Sequence, residues 1–238
     1  MINLSVHTMS TFETNPFSLD YYASAIKGAM LAGYNVVTLE EFWDLSCPTA
    51  KTLVLRHDVD VKPHTLKKVL DVERALNCRS SLYVRVAGAP YNFLDYPVFK
   101  VLQDAASDGF MIGLHTNYVE FASINNLNPL CVLVRETEAL SAFFPGVRSL
   151  APHRDHNYVC NSLPHLEINW VEITDQLQQY AFQAYDRRIT DAVEYVNEGL
   201  IPHLTWRNKT PEEVVTTGKS FVMMTHSHWW YKIHPFEE

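Results

Sequence analysis

Short apolar runs alternate along the chain with amphipathic segments, and this alternation most constrains how it can fold. The apolar runs predict buried strands over 52–56, 80–86, 110–115, 147–152, 168–174 and 221–226. The amphipathic segments have helical spacing and predict helices over 17–32, 64–76, 96–109 and 129–144. Strands that alternate with helices are typical of βαβ units and a largely parallel sheet.

The chain length favours one closed or nearly closed sheet. The 238 residues fall in the range of about 200–250 residues that α/β barrels occupy as one domain. We therefore expect an α/β protein whose residues 1–238 form a single-domain distorted (β/α) barrel, with about seven parallel strands.

Composition excludes several classes of function. A net charge of −8 argues against a nucleic-acid binder, which needs a basic surface. The chain has no GxGxxG or CxxC element, which disfavours a redox enzyme, and no apolar stretch long enough for a membrane span. The first residues lack the basic and apolar regions of a signal peptide, so we expect a cytoplasmic location. The cysteines are expected to be reduced thiols; they are Cys47, Cys78, Cys131 and Cys160.

Polar side chains follow the predicted strands at the point where each strand ends. They are Asp58, Asp60, His115, His153, His156, His226 and His228. Because the carboxyl ends of parallel strands meet at one edge of a sheet, these side chains are expected to lie together. Carboxylate oxygens and imidazole nitrogens are ligands of divalent transition metals, so the sequence predicts a metal site at this edge.

Asp58 and Asp60 point to the same side if the chain between them is extended. Two adjacent carboxylates repel, so a metal ion or an arginine should accompany them; the alternative is a turn with two solvated acids. His57 would then support the site by packing rather than as a ligand. Trp229 and Trp230 form either an apolar wall for sugar rings or part of the core.

Five short motifs then occur in a recognisable order. They are Arg56-His57-Asp58-Val59-Asp60, Gly113-Leu114-His115-Thr116, Ala151-Pro152-His153-Arg154, Ile189-Thr190-Asp191 and Met224-Thr225-His226. In these motifs the chain resembles the polysaccharide deacetylase family, in its divergent branch with an HDVD first motif. The resemblance extends from about Tyr34 to Tyr231.

The resemblance implies a role for each motif. It implies catalytic roles for Asp58, His226 and Asp191, metal ligation by Asp60 and His115, and a wall of the substrate groove at His153 and Arg154. Arg154 is also a candidate catalytic residue as a partner of Asp58, and Trp229 and Trp230 are candidate substrate contacts from their aromatic character. Asp58 would be the general base, held ionised by Arg56 or Arg154, and His226 the acid that protonates the leaving amine. Asp191 or Asp175 would orient His226.

One position departs from the family pattern. The second motif usually carries another histidine four residues after the first, and here that position is Val119. The third metal ligand is left open among His153, His156 and His228.

The implied activity is metal-dependent hydrolysis of an N-acetyl (or O-acetyl) group on a sugar, with zinc as the expected metal and nickel, cobalt, iron or manganese as alternatives. A cytoplasmic member would meet nucleotide-linked or lipid-linked sugars, precursors of surface polysaccharide such as O-antigen or capsule. Two alternatives stay open: a metal-independent amidohydrolase of the same superfamily, and a non-catalytic carbohydrate-binding relative.

Overall fold

The computed structural model of the protein describes residues 17–61, 63–86, 91–153, 177–198 and 205–232. Its strands are β1 (Asn35–Val37), β2 (Thr52–Val59), β3 (Ser81–Arg85), β4 (Met111–Thr116), β5 (Ser149–Pro152), β6 (Phe182–Gln183), β7 (Glu194–Asn197) and β8 (Phe221–Thr225). Its helices are α1 (Leu19–Leu31), α2 (Leu39–Asp44), α3 (Leu66–Ala75), α4 (Tyr96–Ser107), α5 (Tyr118–Ile124), α6 (Pro129–Ser141), α7 (Arg187–Thr190) and α8 (Pro211–Thr217). Two short 3-10 helices span Pro63–Thr65 and Ser227–Trp229.

The strands form one parallel sheet. Seven of them follow the order β6-β5-β4-β3-β2-β8-β7, and the sheet curls into a half-barrel flanked by helices. β8 pairs with one edge of β2. The other edge pairs with β1 at its start and with β3 at its end. The predicted α/β class and distorted barrel of about seven parallel strands are confirmed. The predicted strand over 168–174 lies outside the described residues.

The first predicted helix forms as its apolar spacing requires. Tyr22, Ile26 and Ala29 recur at intervals of three and four residues and are buried against the sheet. The Ser18 side chain accepts a hydrogen bond from the Tyr21 N–H and caps the first turn. The helix predicted over 17–32 is therefore confirmed as α1.

A helix that the sequence pattern did not predict closes the amino end of the barrel. Thr38 and Glu41 cap α2 reciprocally, which holds Leu39 and Phe42 inside the barrel's apolar cluster. The buried Glu40 carboxylate accepts hydrogen bonds from Ser81 and Ser149, the first residues of β3 and β5. Burial raises the pKa of Glu40 despite these bonds.

Alternation along β2 separates the inside of the barrel from the helical layer. Val54 belongs to the apolar cluster that also contains Tyr83 and Met224, whereas Leu53 and Leu55 pack with the residues of α1. Residues in phase with Val54 face the interior, because successive side chains of a strand point to opposite faces. Arg56, Asp58 and Asp60 therefore lie on the interior face, toward the carboxyl end.

None of the described helices is long and apolar enough to cross a membrane. Cys47, Cys78 and Cys131 are free thiols, as predicted, and Cys160 lies outside the described residues.

Candidate metal centre

The polar side chains at the carboxyl edge of the sheet converge on one cluster. One carboxylate lies in β2 and another on the residue after it. Imidazoles come from β4 and from the residues after β5 and β8, and a third carboxylate follows β7. The members are Asp58, Asp60, His115, His153, Glu198 and His226. The predicted convergence of strand ends is therefore observed.

Strand register brings two of these groups onto one face. Asp58 of β2 is the partner of Tyr83 on β3, and Arg85, two residues further on, is the partner of His115 on β4. Neighbouring residues in register point to the same face, so His115 lies beside the continuation of β2 that carries Asp60. The His115 Nε2 atom lies 3.0 Å from Asp60 Oδ1 and 3.6 Å from Asp58 Oδ2.

Asp60, His115 and His153 meet the geometric requirement for a metal site. One ligand atom from each lies within 4.8 Å of the others. The Nε2 atom of His153 lies 3.4 Å from Asp60 Oδ2. His153 and His115 therefore approach different oxygens of the Asp60 carboxylate. An oxygen and two nitrogens at this spacing are a donor set that zinc and related divalent ions accept.

Hydrogen bonding at His115 supplies a test of that fit. The Nδ1 atom lies 2.9 Å from the backbone carbonyl of Ala151, so it carries the proton and donates it. Neither Nε2 nor Asp60 Oδ1 has a hydrogen-bond partner among the described residues, so both atoms are open to a bound cation. A carbonyl that fixes the far nitrogen is the usual support of a metal-binding histidine, so the residues fit a cation between them.

Three imidazoles surround the Asp60 carboxylate. Besides His115 and His153, His226 places Nε2 at 3.3 Å from Asp60 Oδ2. Burial by itself raises the pKa of Asp60, but these imidazoles outweigh burial and hold the pKa far below its usual value. Asp60 is therefore ionised whether or not a metal is bound.

Glu198 orients His226. Its carboxylate accepts the His226 backbone N–H at 2.8 Å and the Trp230 indole N–H at 3.2 Å, and its second oxygen lies 3.2 Å from His226 Nδ1. Burial by itself lowers the pKa of His226, but the bonds to Asp60 and Glu198 outweigh it and hold that pKa well above its usual value. In the metal-free protein His226 is thus protonated near neutral pH.

Arg56 holds Asp58. The guanidinium donates through Nε and Nη2 to the two carboxylate oxygens, at 2.8 Å each. Its plane lies between the rings of Tyr83 and Tyr185, with the guanidinium carbon 4.9 and 4.7 Å from their centroids. Burial by itself raises the pKa of Asp58, but the Arg56 charge outweighs it and lowers that pKa. Of the two predicted arginine partners, Arg56 makes this contact, and Arg154 lies outside the described residues.

Two predicted site residues need correction, and two more are not described. Trp230 is 1% exposed within an aromatic cluster, so it packs in the core and cannot contact a substrate. Asp191 is exposed and precedes β7, so it lies at the opposite edge of the sheet from His226. The residue that orients His226 is Glu198 and not Asp191 as predicted. His156 and Asp175 lie outside the described residues.

The remaining candidates are placed near the cluster. Trp229 is half-buried and packs against Phe17. The His228 ring lies 5.8 Å from the His226 ring but does not belong to the group that could hold a metal. Val119 packs against the apolar cluster on the outer side of the sheet, so among the described residues His153 completes the three-ligand group.

No family model matches the chain, and no curated protein matches it either.

Proposed function

We propose that the protein is a metal-dependent hydrolase that removes an N-acetyl (or O-acetyl) group from a sugar. The observation that carries the proposal is the approach of His115 Nε2 to Asp60 Oδ1 at 3.0 Å without a hydrogen bond, beside His153. Asp60, His115 and His153 would hold the metal, with zinc the first candidate. A bound divalent metal lowers the pKa of water and polarises a carbonyl.

Asp58 suits the role of general base. Its carboxylate is ionised, because Arg56 lowers its pKa, and one oxygen lies 3.6 Å from the His115 nitrogen that faces the cluster. Arg56 occupies both oxygens and keeps the carboxylate in one orientation. Each oxygen has a further lone pair, so Asp58 can still accept a proton from an attacking water.

His226 suits the role of general acid. It is held protonated by Asp60 and Glu198, and the Glu198 contact at Nδ1 leaves Nε2 as the nitrogen that faces the cluster. A protonated imidazole at this position can donate to the amine that leaves when an amide is cleaved. The base lies near the end of β2 and the acid follows β8, and these two strands are adjacent in the sheet.

A sugar precursor of surface polysaccharide is the substrate that we propose. The support is the order of the five motifs, which resembles that of polysaccharide deacetylases, and the retention of an acid–base pair beside a three-ligand group. Nucleotide-linked or lipid-linked N-acetyl sugars of O-antigen or capsule assembly are the specific candidates, in a cytoplasmic setting.

Acetate release tests this activity directly. The zinc-loaded protein is incubated with free and nucleotide-linked N-acetyl sugars, and acetate is measured by a coupled assay. Asp58→Asn and His226→Gln should each lower kcat by about 10²–10⁴-fold, the usual contribution of a general base or acid. Asp71→Asn, an exposed carboxylate on α3 that pairs with Lys67, is the matched control and should leave the rate unchanged. Equal rates in all four proteins would contradict the assigned roles.

A metal-independent amidohydrolase, or a relative that only binds sugar, is the second candidate. It is favoured by the three imidazoles around Asp60, since a protonated His226 compensates the carboxylate charge without a metal. Acetate release that persists after exhaustive chelation would favour a metal-independent amidohydrolase. Saccharide binding that is unchanged in Asp58→Asn, with no turnover, would favour a relative that only binds sugar.

A further inference from the structure

A second set of polar side chains is buried behind the candidate site, on the outer face of β2. His57 lies between Asp58 and Arg56 in sequence, and its side chain therefore faces the helices rather than the barrel interior. Its Nε2 atom lies 2.6 Å from Glu73 Oε1 on α3, and its Nδ1 atom lies 2.7 Å from Thr225 Oγ1 on β8. His57, Glu73 and Thr225 are each 0% exposed.

The hydrogen bonds of this cluster favour a proton on His57 Nε2, although the Tyr22 hydroxyl also lies 3.3 Å from this atom. Glu73 accepts from the Tyr22 hydroxyl at Oε1 and from the Ser80 hydroxyl at Oε2. A carboxylate only accepts, so the proton between Glu73 and His57 belongs to His57 Nε2. Nδ1 is then the nitrogen that bonds the Thr225 hydroxyl. Both nitrogens of His57 are satisfied in this way, and α3 fixes which of them faces β8.

The order Thr225, His57, Glu73 has the connectivity of a hydroxyl–imidazole–carboxylate catalytic triad. Complete burial of all three side chains prevents a substrate from reaching the hydroxyl, so nucleophilic catalysis by Thr225 is excluded. The bond between His57 and Thr225 has another consequence, because these two residues are register partners of β2 and β8. It joins the two strands through their side chains at the last ladder position before the site.

The proposed acid and base follow this bond directly. Asp58 is the residue after His57, and His226 is the residue after Thr225. The ladder between β2 and β8 ends at His57 and Thr225, so beyond this pair no further residue of the two strands is in register. The separation of Asp58 and His226 therefore depends on the position of this last pair.

We propose that His57 is a positioning residue: with Thr225 it joins β2 to β8 and sets the distance between Asp58 and His226, while Glu73 holds its tautomer. The proposal rests on the proposed function only for the roles of Asp58 and His226. The strand connection itself is a statement about the fold and is tested separately.

The first experiment compares two substitutions of Thr225 with a matched control. Thr225→Val keeps the shape and removes the hydroxyl, and Thr225→Ser keeps the hydroxyl. Thr137→Val on α6 is the control. Thr137 is equally buried, and the substitution removes a hydroxyl that bonds Tyr180 away from the site. Thr225→Val should lower kcat for acetate release by about tenfold or more with KM within about twofold, since displaced reacting groups slow the chemical step. Thr225→Ser should stay within about threefold of the parent, and Thr137→Val should match it.

The second experiment does not depend on activity. Amide hydrogen exchange should accelerate in Thr225→Val at residues 58–60 and 225–227, and stay unchanged across β3 and β4. Imidazole ¹⁵N spectra of the parent should show His57 with the proton on Nε2 and a hydrogen-bonded Nδ1. In Thr137→Val the exchange at β2 and β8 should equal that of the parent.

The outcomes separate the two proposals. No acetate release from the parent, with the local exchange change still present in Thr225→Val, overturns the proposed function and leaves the strand connection supported. Equal loss of rate in Thr225→Val and Thr137→Val, or exchange that accelerates throughout the sheet, overturns the positioning role. His57 with the proton on Nδ1 overturns the role of Glu73.

Discussion

Nε2 of His115 lies 3.0 Å from Oδ1 of Asp60, although the Ala151 carbonyl holds the His115 proton on the other ring nitrogen. Two electron-rich atoms at that distance repel unless a cation or a proton lies between them. Neither atom makes a hydrogen bond with any described residue, and a cation bound between them would satisfy both. The proposed metal site rests on this relationship, and His153 provides a third donor.

The carboxylates of Asp60 and Glu198 together hold the proton on His226. A histidine whose pKa is higher in the folded protein than in the unfolded chain, where it is about 6.5, stabilises the folded state at pH values below about 6.5. This stabilisation is lost as pH rises through the folded pKa. The pKa of His226 is raised, so the free energy of unfolding of the metal-free protein should fall as pH rises above about 6.5. In Glu198→Gln the fall should still begin near about pH 6.5 but be smaller and end at a lower pH, because one of the two carboxylates that hold the proton is gone.

Urea denaturation in the presence of a chelator, at several pH values, measures this effect. Glu138→Gln, an exposed carboxylate on α6, is the control and should follow the parent. Parallel pH dependence in the parent and in Glu198→Gln would contradict the assigned interaction.

The buried pair of Arg56 and Asp58 should be costly to break. Both side chains are almost fully buried, at 0% and 5% exposure. Arg56→Met leaves the Asp58 carboxylate without its partner, and removing one member of a buried pair destabilises a protein by about 3–5 kcal/mol. Arg148→Met removes a similar pair with Asp44 at the surface, where about 0–1 kcal/mol is expected. Chemical denaturation of the two variants checks the difference, and equal losses would show that the Arg56 pair does not behave as buried.

The strands that place Arg56 and Asp58 could be predicted from sequence because their apolar runs are continuous. TLVL, FMIGL and FVMMT are buried on both faces, and the polar residues that end them were expected to meet. Asp60, His115, His153 and His226 were found in this way. The early end predicted for β2 was wrong, since the strand continues from Arg56 through Val59 as alternating polar and apolar residues.

Glu198 could not be found from its local sequence. It follows β7, whose four residues, Glu194–Asn197, are mostly half-buried and lack an apolar run. Its importance comes from the sheet order, which places β7 beside β8 although the two are separated in the chain. Trp230 was left open between a wall for sugar rings and the core, and the short helix over Ser227–Trp229 turns its ring into the core. Long-range pairing, rather than local pattern, decides both positions.

Gly113 allows Tyr83 to lie across the interior of the barrel. A Cβ at this position would come within 2.5 Å of the Tyr83 ring and 2.9 Å of Ser149 Oγ. Gly113→Ala should therefore destabilise the protein by about 1–3 kcal/mol, the usual cost of overpacking. The displaced Tyr83 ring should also weaken the support of Arg56, which it contacts.

Gly28→Ala is the matched control. Gly28 lies within α1, where a Cβ meets nothing within 4 Å. Alanine there should stabilise the protein by about 0.5–1 kcal/mol, because glycine is a poor helix former. Thermal denaturation measures the stability of both variants. A Gly113→Ala protein as stable as the parent would show that the interior at Tyr83 has room for an added methyl group.

Metal content tests the central proposal most directly. The untagged protein is incubated with zinc, desalted and analysed by elemental mass spectrometry, beside Asp60→Asn, His115→Ala and His153→Ala. His64→Ala, which removes an exposed histidine outside the cluster, is the control. We expect about one zinc per chain in the parent and in His64→Ala, and loss of most of it in the three cluster variants. A parent protein that retains no zinc, or cluster variants that retain as much as the parent, would contradict the proposed metal site.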